Sequence, residues 1–252
     1  MTTRAQLREA GRKIRQELGL DMTKGVSLLP GFGDLQDEMV FGRIWSRPTL
    51  SREDRMLATL AALTSKQYLP QLSSYVGAAL HIGMSPRLVS EIILHCAIYS
   101  GLPTAENSLQ AMAHVFEKNN IQKLDYTFEE FGLDTLAEMG DSTMRALHAE
   151  SASGGYAAPE SAANELYATA IQYLYGEVWN RPGPSLRQRM ICSISYFTAL
   201  QLYSQQRKWF ASAQKTVGLT RVEILEIIAQ TAHYSGFPSA LNALVIADEV
   251  LT

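Results

Sequence analysis

Apolar residues recur at helical spacing along the chain, beginning within its first twenty residues. Four residues share one stripe of a helix that this spacing predicts over residues 4–18: Leu7, Gly11, Ile14 and Leu18. Gly19 and Asp21 are expected to close this helix. A loop punctuated by glycine and proline follows over 20–34.

Capping and helix-breaking residues divide the next hundred positions into further helices. Ser51 and Ser85 have the character of N-caps, and Pro86 suits a first helical position. Gly83 suits a C-terminal cap, and Gly101 with Pro103 is expected to break the chain. The predicted helices run over 35–47, from Ser51 onward, over 69–82, over 85–99 and over 104–118. No segment alternates strictly between polar and apolar residues, so we expect an all-α fold.

The same pattern then returns, because the chain is a tandem duplication. Residues 99–109 match 234–244 at seven of eleven positions, and Phe-Gly-Arg-Ile-Trp-Ser-Arg-Pro at 41–48 returns as Tyr-Gly-Glu-Val-Trp-Asn-Arg-Pro at 175–182. The leading helix is repeated as well, since Leu136, Glu138, Gly140 and Leu147 echo residues of 4–18. A Ser-, Gly- and Ala-rich stretch over 151–163 replaces the first loop. We expect two units, 1–125 and 126–252, with the boundary near 121–130.

Composition narrows the function classes. The net charge is −3 with a pI of about 6.0, and no basic stripe is present, so nucleic acid is not an expected partner. No apolar run approaches a membrane span and no signal peptide is evident, so we expect a soluble, cytoplasmic protein. Cys96 and Cys192 stand alone in the sequence and are expected to be buried small hydrophobic residues.

Several kinds of site are not indicated. The five histidines lack metal-ligand spacing, and neither a phosphate-binding glycine loop nor a Gly-x-Ser-x-Gly elbow occurs. No metal or cofactor is therefore expected. His81, His114 and His148 have the character of surface residues.

The repeated motifs resemble the carboxymuconolactone decarboxylase family. The resemblance rests on Glu9–Gly19, on the Phe-Gly-x-x-Trp-x-Arg-Pro block with Leu50–Arg55, and on Tyr-Ser-Gly-x-Pro-x-Ala-x-Asn. It covers nearly the whole chain, once in each half. It implies an alkyl hydroperoxidase D-like helical unit that assembles into rings. A tandem chain is then similar to a fused dimer, and a homo-oligomer is expected, with a trimer favoured.

The chain departs from the family where the resemblance places catalytic residues. Family decarboxylases carry a Glu and, four residues later, a His. Here these positions hold Gln71 and Tyr75 in the first half and Gln206 and Phe210 in the second. Peroxidase members place a cysteine and a histidine there, and with no such pair a thiol peroxidase is not expected.

Four other residues are candidates for acid–base chemistry. His233 precedes the repeated Tyr-Ser-Gly turn, and His95 lies on the corresponding helix three residues further from the turn. Both imidazoles could face one space and act as acid or base, or both could be hydrogen-bonded core residues. Tyr75 and Gln71 could stabilise an enolate oxygen, or Tyr75 could simply pack in a decayed site.

Binding candidates recur at matching places in the two halves. Trp45 and Trp179 could line an aromatic pocket or belong to the core, and Phe210 offers only a binding wall. Arg55 and Arg189 could hold a substrate carboxylate or form structural pairs. Roles in packing or helix-end capping are expected for Arg47, Arg181, Tyr99 and Tyr234. The aromatic residues over 196–210 could form core or pocket: Tyr196, Phe197, Tyr203, Trp209 and Phe210.

Two hypotheses of function follow. The first is a cofactor-free lyase or isomerase, decarboxylase-like, that acts on a small cyclic or aromatic organic acid or lactone. The second is a non-catalytic, ring-forming ligand-binding or scaffold protein that kept the fold.

Overall fold

The computed structural model describes residues 2–20, 29–122, 124, 129–149 and 162–252. Over these residues the chain is helical with connecting turns and has no strand, which confirms the all-α prediction. Most of the two predicted loops, at 21–28 and 151–161, and part of the predicted boundary segment lie outside the described residues. None of the described helices is both long enough and apolar enough to cross a membrane.

Helices of the two halves follow the same order. Those of the first half are α1 Arg4–Glu17, α2 Phe32–Gln36, α3 Arg52–Lys66, α4 Leu69–His81, α5 Pro86–Ala97 and α6 Leu102–Lys118. Those of the second half are α7 Leu133–His148, α8 Asn164–Thr169, α9 Leu186–Ala199, α10 Tyr203–Lys215, α11 Arg221–Ser235 and α12 Phe237–Val250. α2 runs on as the π-helix Asp37–Trp45, and α8 as the π-helix Ala170–Glu177 and the 3₁₀ turn Val178–Asn180.

Side-chain caps start the helices where the sequence predicts them. Ser51 accepts a hydrogen bond from the Asp54 amide at 3.0 Å, and Ser85 accepts one from the Leu88 amide at 3.1 Å. The predicted break is present, because α5 ends at Ala97 and Gly101 is the N-cap of α6. The start predicted at residue 104 is wrong, since α6 begins at Leu102 and contains Pro103 in its first turn. Proline fits there, since the first amides of a helix have no carbonyl partner within it.

Glycine pairs bring the leading helix of each half close to the π-helix that follows it. A methyl group on Gly11 would lie 1.9 Å from the carbonyl oxygen of Asp37, and one on Gly42 would lie 2.0 Å from that of Leu7. Gly140 and Gly176 repeat this crossing in the second half, at 2.0 and 2.1 Å from backbone oxygens. The duplicated glycines therefore hold each π-helix, and the tryptophan near its end, in a fixed place.

The two halves share one hydrophobic core. α3 and α9 contact each other at its centre, where Ser195 donates to the carbonyl of Ala58 at 2.6 Å. Cys192 on α9 donates to the carbonyl of Leu57 at 3.7 Å and lies beside Cys96 on α5, and both thiols are buried. The two cysteines are neighbours across the halves although they are far apart in sequence. Burial raises the pKa of the Cys192 thiol well above its usual value, so this pair does not supply a thiolate.

Replacing Gly11 by alanine tests the helix crossing. We expect Gly11→Ala to lower the free energy of unfolding by about 3 kcal/mol or more, because a backbone oxygen cannot move away as a side chain can. Gly33→Ala is the matched control, since nothing lies within 4 Å of its added methyl group. That variant should be neutral or gain up to about 1 kcal/mol from helix propensity. Urea unfolding measures both, and equal stabilities of the two variants would contradict the crossing.

Candidate functional site

A tryptophan of each half donates a hydrogen bond to a tyrosine of the other half. Trp45 Nε1 donates to the hydroxyl of Tyr234 at 2.8 Å, and Trp179 Nε1 donates to the hydroxyl of Tyr99 at 2.9 Å. The two tyrosines head the duplicated Tyr-Ser-Gly motif. Their participation was missed from the sequence, which suggested only turn packing for them. Each Trp–Tyr pair is built from both halves.

Ion pairs between arginines of one half and buried glutamates of the other half also join the two halves. Arg55 contacts Glu226 at 2.9 Å and Gln230 at 3.1 Å, and Arg47 also pairs with Glu226. In the reciprocal position Arg181 binds Glu91 through two hydrogen bonds of 2.7 and 2.9 Å. The helix-end capping expected for Arg47 and Arg181 is replaced by these ion pairs between the halves.

Arg55 and Arg189, the residues suggested for a substrate carboxylate, are enclosed by protein. Their exposed fractions are 0% and 1%. Arg55 is bonded to Glu226, Gln230 and the Arg47 carbonyl, and Arg189 donates to the Arg181 carbonyl at 2.6 Å. The structure thus places both guanidinium groups in the contact between the halves.

The first cavity brings together three of the four acid–base candidates. It has a volume of about 310 Å³ and lies between α2 with its π-helix, α4 and the end of α11. Its lining residues are Gln36, Val40, Phe41, Leu63, Tyr68, Gln71, Tyr75, His233 and Tyr234. Trp45 is fully buried behind Tyr234. No aspartate, glutamate, lysine or arginine is among these lining residues.

A chain of hydrogen bonds orients the phenols of this first cavity. The hydroxyl groups of Tyr75 and Tyr234 are 2.7 Å apart. Because an indole N–H can only donate, the Tyr234 oxygen accepts from Trp45, and Tyr234 can pass its own proton toward Tyr75. The Tyr75 proton is then available to a ligand. Burial raises the pKa of Tyr234 to about 12 and that of Tyr75 well above its usual value, so both remain proton donors at neutral pH.

His233 is the group in the first cavity that can accept a proton. Burial lowers the pKa of its imidazole to about 4, so the ring is neutral at pH 7. Its Nδ1 atom is buried and has no hydrogen-bond partner within the described part of the chain. The ring lies edge-on to Phe237, with centroids 5.3 Å apart. The first cavity therefore contains a base, the neutral imidazole of His233, and two acids, the protonated phenols of Tyr75 and Tyr234.

His95 lies elsewhere, so the expectation that the two imidazoles face one space is wrong. His95 is fully buried, 3.4 Å from Arg189 Nη1 and 3.2 Å from Ser193 Oγ. Gln230 has the same place in the other half, where it bonds Arg55 and Thr59. Because of the offset of three residues, His95 lies in the contact between the halves and His233 lies at the first cavity. Burial, with the charge of Arg189, keeps the pKa of His95 well below its usual value.

A second cavity of about 510 Å³ occupies the matching position in the other half. Tyr99, Tyr175, Phe197 and Trp209 line it, together with Lys208. Trp179 lies behind and stacks on Trp209 at 5.4 Å. Of the aromatic residues over 196–210, Phe197 and Trp209 belong to the core and also line this cavity. Tyr196 and Phe210 are buried in the core, and Tyr203 is 38% exposed.

His148 is the other histidine whose placement was wrong. It is 4% exposed, lies 2.7 Å from Ser212 Oγ through Nδ1, and meets the Trp209 ring edge-on at 4.8 Å. The last turn of α7 is covered by α10, which the local pattern of 133–148 does not reveal. His81 and His114 are exposed, as predicted.

Neutralising Glu226 tests the contact between the halves. Glu226→Gln leaves the Arg55 cation buried without its counter-charge, and we expect a loss of about 3–5 kcal/mol in the free energy of unfolding. The control is Asp141→Asn, which removes an exposed partner of Arg145 and should change stability by less than about 0.5 kcal/mol. Chemical unfolding measures both. A loss below 1 kcal/mol for Glu226→Gln would show that the pair is dispensable.

Acid should destabilise the protein through His148. Burial lowers the pKa of this ring to about 3, whereas unfolded histidine titrates near 6.5. Between these values the unfolded chain binds a proton that the folded chain does not, so stability falls as the pH falls through this window. At pH 5 the uptake of this proton by the unfolded chain lowers the free energy of unfolding by roughly 2 kcal/mol.

His148→Gln should remove that part of the pH dependence, whereas the exposed control His114→Gln should keep it. Unfolding free energies at pH 7.5, 6 and 5 measure the difference. Parallel curves for the wild type and His148→Gln would contradict the assignment.

Comparison with known proteins places this architecture in a family. The model of the Carboxymuconolactone decarboxylase family matches residues 30–114 and 164–249, once in each half. A 4-carboxymuconolactone decarboxylase of Acinetobacter baylyi is 31% identical over 86 residues, which are 34% of this chain and 64% of that protein. A nitrosuccinic acid decarboxylase of Metarhizium robertsii is 31% identical over 71 residues, 28% of this chain and 50% of that protein.

An uncharacterized 15.0 kDa protein of Paracoccus denitrificans is 30% identical over 102 residues, 40% of this chain and 76% of that protein. The match spans less than two thirds of each of the two decarboxylases. The two family matches lie in corresponding parts of the repeat and together cover more than half of the sequence. The chain belongs to the carboxymuconolactone decarboxylase family.

Proposed function

We propose that this protein is a cofactor-free lyase or isomerase of decarboxylase type, acting on a small cyclic or aromatic organic acid or lactone in the first cavity. The observation that carries the proposal is the neutral His233 beside the protonated Tyr75–Tyr234 pair in one largely apolar space. The relatives named as decarboxylases support the reaction class. Their names both describe small organic acids, which fit a cavity of about 310 Å³.

The walls of the first cavity favour loss of carbon dioxide. Val40, Phe41 and Leu63 are apolar, and no cationic side chain among the described lining residues holds a carboxylate in its charged form. A substrate carboxylate that enters this space loses part of its hydration, and leaving as neutral carbon dioxide relieves that cost. The bond to the carboxylate carbon breaks, and its electron pair moves onto a neighbouring carbonyl oxygen as an enolate.

Proton donors would receive that negative charge. The Tyr75 hydroxyl, supplied by Tyr234 and Trp45, and the amide of Gln71 donate to the enolate oxygen. The reaction consumes one proton, which returns to carbon. His233 carries it, because a bound carboxylate beside the imidazole raises its pKa and lets it take up a proton from solvent. Without decarboxylation the same groups would move a proton between two carbons, as an isomerase does.

The direct test is incubation of the purified protein with 4-carboxymuconolactone and, separately, with nitrosuccinate, without added metal or cofactor. NMR would follow product and released carbon dioxide, with heat-denatured protein as the blank. Conversion of 4-carboxymuconolactone is the expected result, and conversion of the acyclic nitrosuccinate alone would contradict a cyclic or aromatic substrate. Binding of an acid without conversion would favour the second hypothesis, a ligand-binding protein that kept the fold.

Variants of the first cavity should separate chemistry from folding. We expect His233→Ala to lower kcat by about 10²-fold or more, the usual scale for a lost acid–base group. Tyr75→Phe should lower kcat about 10- to 100-fold, because one donor to the oxyanion is lost. The controls are the exposed His114→Ala and Tyr173→Phe, which should retain wild-type kcat. Circular dichroism would verify folding, and full activity of folded His233→Ala would remove this residue from the mechanism.

A further inference from the structure

The second cavity has lost the groups that transfer protons in the first. The repeat places Ile98 where the first cavity has His233. The structure places Trp209, and not Phe210 as the sequence suggested, where the first cavity has Tyr75, because Trp209 stacks on Trp179 as Tyr75 stacks on Trp45. Tyr99 remains at the position of Tyr234 and keeps its bond from Trp179, at 2.9 Å. The frame of the site is therefore preserved while its base and one of its acids are absent.

A cation has been gained in the same place. Lys208 is half-buried and is the charged residue among the described residues that line this second cavity. No carboxylate of the described chain pairs with it, and burial lowers the pKa of its ammonium group. The neighbouring His148 is neutral at pH 7, so it adds no competing charge. In the first half the corresponding residue is Ser74, whose hydroxyl donates to the Pro70 carbonyl at 3.1 Å. A partly desolvated cation without a counter-ion favours an anionic ligand.

The walls around Lys208 are aromatic and flat. Tyr99, Tyr175, Phe197 and Trp209 contribute rings, and Trp209 is supported from behind by Trp179. Phe197 and Trp209 lie with centroids 5.3 Å apart, which fixes the angle between two of these surfaces. Such surfaces complement a planar ligand, and the volume of about 510 Å³ exceeds that of the first cavity.

We propose that the second cavity binds a flat aromatic monocarboxylate, with Lys208 as its counter-ion, and does not convert it. The ligand lies against the rings of Trp209 and Tyr99, and its carboxylate receives a charge-assisted hydrogen bond from the lysine. This inference rests on the residues of the second half and stands whether or not the first cavity is catalytic.

Titration with 1-naphthoate tests the site, with 1-naphthamide as the uncharged comparison. The chain has three tryptophans, so NMR of the indole N–H groups gives three signals that can be assigned with Trp→Phe variants. Trp209 reports the second cavity and Trp45 the first. We expect naphthoate to move the Trp209 signal, and Lys208→Gln to weaken this binding at least about tenfold. Lys208→Gln should leave naphthamide binding unchanged, and the exposed Lys215→Gln on the same helix should change neither.

The proposal is overturned if naphthoate leaves the Trp209 signal in place, or if Lys208→Gln binds naphthoate as tightly as the wild type. Equal affinity for naphthoate and naphthamide in the wild type would also overturn it. A shift of Trp45 alone would place the carboxylate in the first cavity, which removes the second site and leaves the proposed function intact. Binding at Trp209 that persists in His233→Ala would show that the two cavities act separately.

Discussion

The buried ion pairs that cross between the halves are the contacts on which the cavities depend. Glu226 binds Arg55 and Arg47 from the opposite half, and Glu91 binds Arg181, the counterpart of Arg47, in the reciprocal place. Each glutamate lies eight residues, or about two helical turns, before the tyrosine that completes a cavity, so the ion pair sets the position of that tyrosine against the opposing tryptophan. Removing one partner leaves a charge in the core, which makes this register costly to change. Neither half contains a complete site by itself.

The duplicated sequence predicts most of the helices but few of the contacts between the two halves. Helix positions follow from apolar spacing and from caps such as Ser51 and Ser85, because these are local effects. The π-helices are not visible in the same way, since their place depends on backbone contact between Gly11 and Gly42. The bond from Trp45 to Tyr234 joins residues 189 positions apart, and nothing in either local motif specifies it.

Some of the site residues could be predicted from the sequence, and others could not. Tyr75, Gln71 and His233 could be predicted as a group because they follow from the repeat and its departures, and the structure brings them to one cavity. His95 could not be placed, because a three-residue offset on a helix changes the surroundings completely. It shares the position of Gln230, whose amide makes the same two kinds of contact, to an arginine and to a hydroxyl. The imidazole in that place serves as a hydrogen-bonding core group.

Duplication explains how the two cavities can differ without harm to the fold. The contacts that hold the halves together involve Arg55, Glu226 and their counterparts, and these lie behind the cavity walls. The residues that face the cavities are free to diverge, so the first holds a neutral base and phenolic donors while the second holds Lys208 and aromatic rings. An uncharged apolar wall destabilises a bound carboxylate and favours its loss, whereas an ammonium group stabilises the carboxylate and retains it. The same arrangement of helices can therefore favour loss of a carboxylate in one cavity and its binding in the other.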